Sequence, residues 1–86
     1  MLRYVITILP AAIRQLTALP VLEQKRVAAR INGLSVDPRP PGSKKLKEAT
    51  GLYRIRSGNY RIIYQIQEKR LLILVIKIGH RRDGYR

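Results

Sequence analysis

One feature of the sequence constrains the fold more than any other: apolar and polar residues alternate on both sides of a short glycine-containing segment. The alternating segments are residues 52–56 and 60–67, and Ser57, Gly58 and Asn59 separate them. Because successive side chains of a β-strand point to opposite faces, a period of two over this length indicates strands. Two strands joined by so short a loop are typical of a β-hairpin. The chain is therefore expected to build an antiparallel sheet around this hairpin.

The same alternation assigns the side chains of the hairpin to two faces. If Tyr53 and Ile55 enter the core, Arg54 and Arg56 point together to the open face. In the second strand the apolar residues of matching parity are Tyr60, Ile62, Tyr64 and Ile66. Arg61 then lies on the open face, across the hairpin from the other two arginines. Since guanidinium groups bind phosphate with paired hydrogen bonds, this face is expected to bind phosphate; ordinary solvated strand residues are the alternative.

The first half of the chain shows one strand pattern and two helix patterns. Residues 2–9 are apolar and β-branched and predict a first strand, after which Pro10 suits the first turn of a helix. Helical spacing of apolar residues then appears on either side of Pro20, which ends one helix and can open the next. The two apolar stripes are formed by Ala12, Leu16 and Leu19, and by Val27, Ile31 and Leu34.

Beyond the helices, residues 37–43 contain three prolines and predict a stiff loop. Residues 71–78 are almost continuously apolar and predict a central strand that is buried on both faces. The expected fold is therefore α+β with the order βααβββ, two N-terminal helices packing on a small antiparallel sheet. Residues 1–86 are expected to form a single domain, because a chain of this length can bury only one modest core.

The charge of the chain is strongly positive. It carries 18 lysines and arginines against five acidic residues, a net charge of +13, and twelve of the cations are arginine. Self-repulsion of this size disfavours a compact state unless an anionic partner neutralises it. Arginine matches phosphate geometry and stacks on bases, so nucleic acid is the expected partner. A merely solvated surface is the alternative.

Several classes of protein are disfavoured by what the sequence lacks. There is no cysteine and a single histidine, so disulfides, cysteine-ligated zinc and thiol nucleophiles are excluded and no metal or other cofactor is expected. The longest apolar run, residues 71–76, is far shorter than the roughly 20 residues of a membrane helix. We expect a cytoplasmic protein without membrane contact. Glu48, Glu68 and Asp83 stand apart in sequence and are interpreted as solvated charges, not as an acid–base pair.

Two further groups of residues are candidates for RNA binding. The first is a short basic cluster, Lys44, Lys45 and Lys47. The second is the C-terminal segment, residues 79–86, which contains His80, Arg81, Arg82 and Tyr85. Tyr85 could stack on an unpaired base, the usual mode of single-stranded RNA recognition. The alternatives are a frayed end for Tyr85 and an ordinary surface histidine for His80.

Four segments in order resemble the RelE family of bacterial and archaeal toxins: residues 45–47, 51–56, 58–64 and 79–86. The loop that begins with Asp37, Pro38, Arg39 and Pro40 is also similar. The resemblance implies a ribosome-dependent messenger-RNA endonuclease on a microbial-ribonuclease-like fold. It also implies a toxin–antitoxin pair, a cognate acidic antitoxin as partner, mRNA and the ribosome as targets, and chemistry without a metal or cofactor.

The resemblance also implies roles for individual residues. Arg61 matches the arginine that stabilises the pentacovalent phosphate, Arg81 the one proposed to protonate the leaving oxygen, and Tyr85 the tyrosine that orients the substrate base. Arg54 and Arg56 stand where relatives carry lysines. Because the pKa of arginine lies above about 12, these two can stabilise charge but are poor general bases. His80, Tyr85, and RNA or ribosomal groups remain candidates for the base.

Two other functions are compatible with the sequence. ParE-like toxins of the same superfamily inhibit gyrase and do not cut RNA, and the set of arginines with Tyr85 argues against that branch. An RNA-binding protein without catalytic activity is the other alternative.

Overall fold

The computed structural model describes residues 3–47 and 50–80, and the structural statements below refer to these ranges. The element order is β1 (Val5–Ile8), α1 (Pro10–Thr17), α2 (Val21–Gly33), β2 (Lys44–Lys47), β3 (Leu52–Ser57), β4 (Tyr60–Gln67) and β5 (Leu72–His80). A short 3-10 turn, Glu68–Arg70, connects β4 to β5. The five strands form one sheet in the order β1-β5-β4-β3-β2.

The predicted α+β fold is confirmed, with two differences in the sheet. The hairpin β3–β4 and its continuation into β5 are antiparallel, but β1 pairs with β5 in parallel. The basic cluster forms an additional edge strand, β2, antiparallel to β3, so the observed order contains one strand more than predicted. Lysine is frequent on edge strands because it discourages pairing with other molecules. The lysines of β2 carry no alternation from which a strand could be predicted.

The core lies between the two helices and one face of the sheet. The stripe of α2 is buried, with Val27, Ile31 and Leu34 at most 1% exposed. The sheet contributes the residues of the parity predicted from the sequence: Tyr53, Ile55, Ile62, Tyr64 and Ile66 are buried. Burial raises the pKa of Tyr64 to about 12. The core-facing parity of the hairpin is thereby confirmed.

A β-bulge changes the parity of β5 near its end. Ile63 pairs with Lys77 and Tyr64 with Val75, so Ile76 is an extra residue. Val75 before the bulge and Ile78 after it are both buried in the core, whereas Lys77 is exposed. The face of β5 away from the helices is only half-buried. The expectation of burial on both faces therefore holds for one face only, because the two helices pack on the same side of the sheet.

The proline-rich loop before β2 is fastened to the sheet by polar contacts. Arg39 Nη2 donates a hydrogen bond of 2.5 Å to Glu68, and Arg39 Nε donates one of 3.0 Å to the hydroxyl of Tyr53. The hydroxyl of Tyr64 donates to the carbonyl of Pro38 at 2.7 Å. Glu68 is exposed to solvent as interpreted, but it is not isolated, because two side chains donate to its carboxylate. The loop thus positions the start of β2 against β3.

Candidate nucleic-acid interface

The face of the sheet opposite the helices collects cations from four neighbouring strands. Arg56 pairs with Arg61, and Arg61 also pairs with Gly79, which forms one row across the sheet. The next row runs through Lys44, Arg54, Ile63 and Lys77. We call the set Lys44, Arg54, Arg56, Arg61 and Lys77 the arginine face. The predicted convergence of the three arginines on one face is present in the structure.

The arginine face places like charges opposite each other. Arg56 is paired with Arg61 and Lys44 with Arg54, and like charges directly opposite in a sheet are destabilising. The Nε atom of Arg54 is buried and has no hydrogen-bond partner in the part of the chain that the structure describes. A buried donor without an acceptor is unfavourable. A phosphate group would supply acceptors and negative charge at this point.

Side chains of both helices form hydrogen bonds with the backbone of β3 and β5 near the arginine face. The outer strands β1 and β2 stop short of the row that contains Arg61. On one side, Arg30 of α2 donates a hydrogen bond of 3.1 Å to the carbonyl of Arg56. On the other side, the backbone N–H of Ile78 donates a bond of 2.8 Å to Gln15 Oε1 of α1. Side chains from the helices therefore replace the missing strand neighbours.

His80 lies on the other side of the sheet from the guanidiniums. It pairs with Tyr60, whose side chain packs against the core, and the two rings meet edge to face with centroids 5.4 Å apart. This placement does not bring His80 to the arginine face, so the structure offers no support for it as the general base there.

The other candidates from the sequence are distributed as follows. Lys44 pairs with Arg54 on the arginine face, whereas Lys45 pairs with Tyr53 and so belongs to the helix side. Lys47 is the last residue of β2, opposite Leu52. The predicted roles of Arg81, Arg82 and Tyr85 lie outside the described residues.

A cleft of about 490 Å³ opens between the end of α1 and the end of β5. It is lined by Gln15, Ala18, Leu19, Tyr60 and residues 77–80, and we call it the β5 cleft. It includes Gly79, which is paired with Arg61, so the cleft borders the arginine face. Sequence reasoning missed Gln15, Arg30 and the cleft, since contacts between a helix and a distant strand leave no local pattern. Lys77, which interrupts an apolar strand, and His80 are the lining residues that stand out locally in the sequence.

Two findings bear on cofactors and membranes. No group of three or more histidine, cysteine, aspartate or glutamate side chains among the described residues could hold a metal ion. Within the same ranges, no helix has the length and apolar character needed to cross a membrane.

Comparison with known proteins places the chain in a family. Residues 6–85 match the family of the ParE toxin of the type II toxin–antitoxin system parDE. Toxin RelG of Mycobacterium tuberculosis is 32% identical over 53 residues, which are 62% of this chain and 61% of RelG. The match thus spans less than two thirds of that relative's length.

Solved structures agree with this family. The RelE–RelB complex from Pyrococcus horikoshii contains a chain that matches with a TM-score of 0.86 and 27% identity, covering 96% of this chain and 100% of that one. The RelBE2 complex of Mycobacterium tuberculosis matches with a TM-score of 0.80 and 27% identity, covering 93% of each chain. The Escherichia coli RelBE complex, at 22% identity, a TM-score of 0.77 and coverage of 96% and 99%, shows the same fold. The chain therefore belongs to the ParE toxin family of type II toxin–antitoxin systems, within the RelE/ParE superfamily.

Proposed function

We propose that this toxin is a ribosome-dependent mRNA endonuclease that acts in the cytoplasm and inhibits translation. The observation that carries the proposal is the pairing of Arg56 with Arg61, next to Arg54, on an open sheet face. Such a surface suits a phosphodiester whose negative charge grows during reaction, because preorganised guanidiniums stabilise that charge. The resemblance of Arg61, Arg81 and Tyr85 to the matching residues of RelE toxins points to the same chemistry.

In the proposed reaction the 2′-hydroxyl of one nucleotide attacks the adjacent phosphorus. The bond from the 2′-oxygen to phosphorus forms, the bond from phosphorus to the 5′-oxygen breaks, and the products are a cyclic phosphate and a 5′-hydroxyl. Arg61 stabilises the pentacovalent phosphate, with Arg54 and Arg56 beside it. Arg81 donates a proton to the leaving oxygen and Tyr85 stacks on the substrate base. The proton of the attacking hydroxyl passes to Tyr85 in its phenolate form or to an RNA or ribosomal group.

The decisive measurement is cleavage of mRNA on programmed ribosomes. Arg61→Ala is expected to slow cleavage by about a hundredfold or more, the usual effect of removing one donor to a developing oxyanion. Arg81→Ala should do the same. Arg70→Ala is the matched control, since it removes the same charge from the exposed turn at the other end of β4. Cleavage at the wild-type rate by Arg61→Ala would show that the arginine face is not the active site.

A ParE-like activity is the second candidate, because the matching family bears the ParE name. A toxin of that kind would inhibit DNA supercoiling by gyrase and leave ribosome-bound mRNA intact. An RNA-binding protein without catalysis would bind mRNA and do neither. Supercoiling and cleavage assays on the same preparation separate the three functions.

The proposed partner is a cognate acidic antitoxin that forms a hetero-oligomer with the toxin. RelE toxins of Pyrococcus horikoshii and Escherichia coli are found in complex with RelB. A chain with a net charge of +13 would attract an acidic partner over a long range. An amphipathic helix or an added strand could cover the sheet and its basic surface.

A further inference from the structure

We propose that the β5 cleft binds an unpaired base of the RNA whose phosphate lies on the arginine face. This inference rests on the proposed function, which makes RNA the ligand. It adds a second RNA contact, between the end of α1 and the end of β5. The cleft volume of about 490 Å³ lies within the range of small-ligand sites, roughly 300–1,000 Å³.

The lining of the cleft suits a base. Tyr60 and His80 meet edge to face, and aromatic rings are the usual partners of unpaired RNA bases. Gln15 is oriented, because its Oε1 accepts the N–H of Ile78. Its amide nitrogen has no protein acceptor within the described ranges and keeps two donors for the edge of a base. Leu19 adds an apolar side.

The cleft meets the arginine face at Gly79, although its aromatic residues lie on the helix side of the sheet. Gly79 lines the cleft and is the strand partner of Arg61, and paired residues lie about 4.5 to 5.5 Å apart. Gly79 has no side chain to separate the two regions, and a Cβ placed there would meet only Lys77 Cε, at 3.9 Å. A bound strand would therefore pass around β5 at Gly79, with a base in the cleft and a neighbouring phosphate at Arg61. Lys77 adds positive charge at the rim.

The charge around the cleft favours nucleic acid over an antitoxin segment as its occupant. The cleft borders the cations of the arginine face at Lys77, and its lining among residues 3–47 and 50–80 contains no carboxylate. An acidic peptide could meet the same charge, but aromatic rings beside a hydrogen-bonding amide are the usual surroundings of an unpaired base. Binding of the antitoxin in the cleft is an outcome that the experiment distinguishes.

The test uses a DNA trinucleotide, which lacks the attacking 2′-hydroxyl, and follows the ring protons of Tyr60 and His80 by NMR. Both rings are expected to shift on titration. Ala18→Phe should fill the cleft from an exposed position and weaken binding by about tenfold, since stacking of one base contributes on this order. Ala11→Phe, exposed in α1 and outside the cleft lining, should bind as the wild type does.

Other outcomes would overturn the proposal. If the trinucleotide shifts only residues of the arginine face, or if Ala18→Phe binds it normally, the cleft is not a base site. If Ala18→Phe weakens antitoxin binding alone, the cleft is a protein interface. The titration needs no ribosome, so loss of the proposed nuclease function would leave a positive result standing. On ribosomes, Ala18→Phe should also change the nucleotide preference at the cleavage site.

Discussion

The carboxylate of Glu68 shows how much one residue can differ from its appearance in the sequence. It accepts hydrogen bonds from the hydroxyl of Tyr4 at 2.6 Å and from Arg39 at 2.5 Å. These bonds join the chain before β1 and the proline-rich loop to the turn between β4 and β5. Hydrogen bonds from Tyr4 and then Arg39 lower the pKa of Glu68, and the same contact raises the pKa of Tyr4. Both partners are remote in sequence, so no local pattern could reveal them.

Replacing Glu68 by glutamine tests this network through its pH dependence. A lowered pKa means that the charged carboxylate stabilises the fold above its ordinary pKa of 4.5, and that this contribution is lost as pH falls through the folded-state value. The contact is partly exposed, so Glu68→Gln should lower the free energy of unfolding at neutral pH by no more than about 1 kcal/mol. Urea denaturation should show the difference from wild type shrinking below pH 4.5. A difference that is constant with pH would mean that the charge of Glu68 contributes nothing.

At the scale of elements, the sequence predicted what is encoded locally. The hairpin and the helix α2 follow from periods of two and of 3.6 residues, and their buried residues are those expected. The strand β2 and the bulge at Ile76 depend on pairing with distant residues, so no period marks them. Part of the candidate site could likewise be predicted from local sequence, and part could not. The arginine face follows from strand parity, whereas the β5 cleft and the contact of Arg30 require the packing of helices on strands.

The turn into β3 requires a glycine at position 51. Gly51 has a φ of +67°, and a Cβ there would lie 2.9 Å from the carbonyl oxygen of Ile66. Gly51→Ala should therefore lower the free energy of unfolding by roughly 1 to 3 kcal/mol, through backbone strain and displacement of β4. Gly33→Ala is the control, since an added Cβ meets nothing within 4 Å and alanine is the better helix former. Chemical denaturation in which both variants match the wild type would mean that this turn adapts without strain.

For the molecule as a whole, excess charge is the dominant feature. The acidic residues within the described ranges are engaged with neighbours: Glu23 with Arg26, Asp37 with the backbone N–H of Arg39, and Glu68 as above. The net charge of +13 is therefore left uncompensated on surfaces such as the arginine face. A free toxin of this charge repels itself, whereas an acidic partner removes that repulsion.

This contrast predicts opposite effects of salt on the free toxin and on its complex. Because salt screens exposed charges over about 10 Å at 0.1 M, adding potassium chloride should raise the Tm of the free toxin. The same screening should weaken antitoxin binding, and we expect the Kd to rise by about tenfold or more between low and high salt. Differential scanning fluorimetry of the toxin gives the dependence of its Tm on salt concentration. Calorimetric titration with the antitoxin gives the dependence of the Kd. The Arg70→Ala variant should slightly reduce the salt dependence of both the Tm and the Kd, since it removes one charge from an exposed turn. A Tm that falls with salt, or a partner that is basic, would show that charge compensation does not hold this pair together.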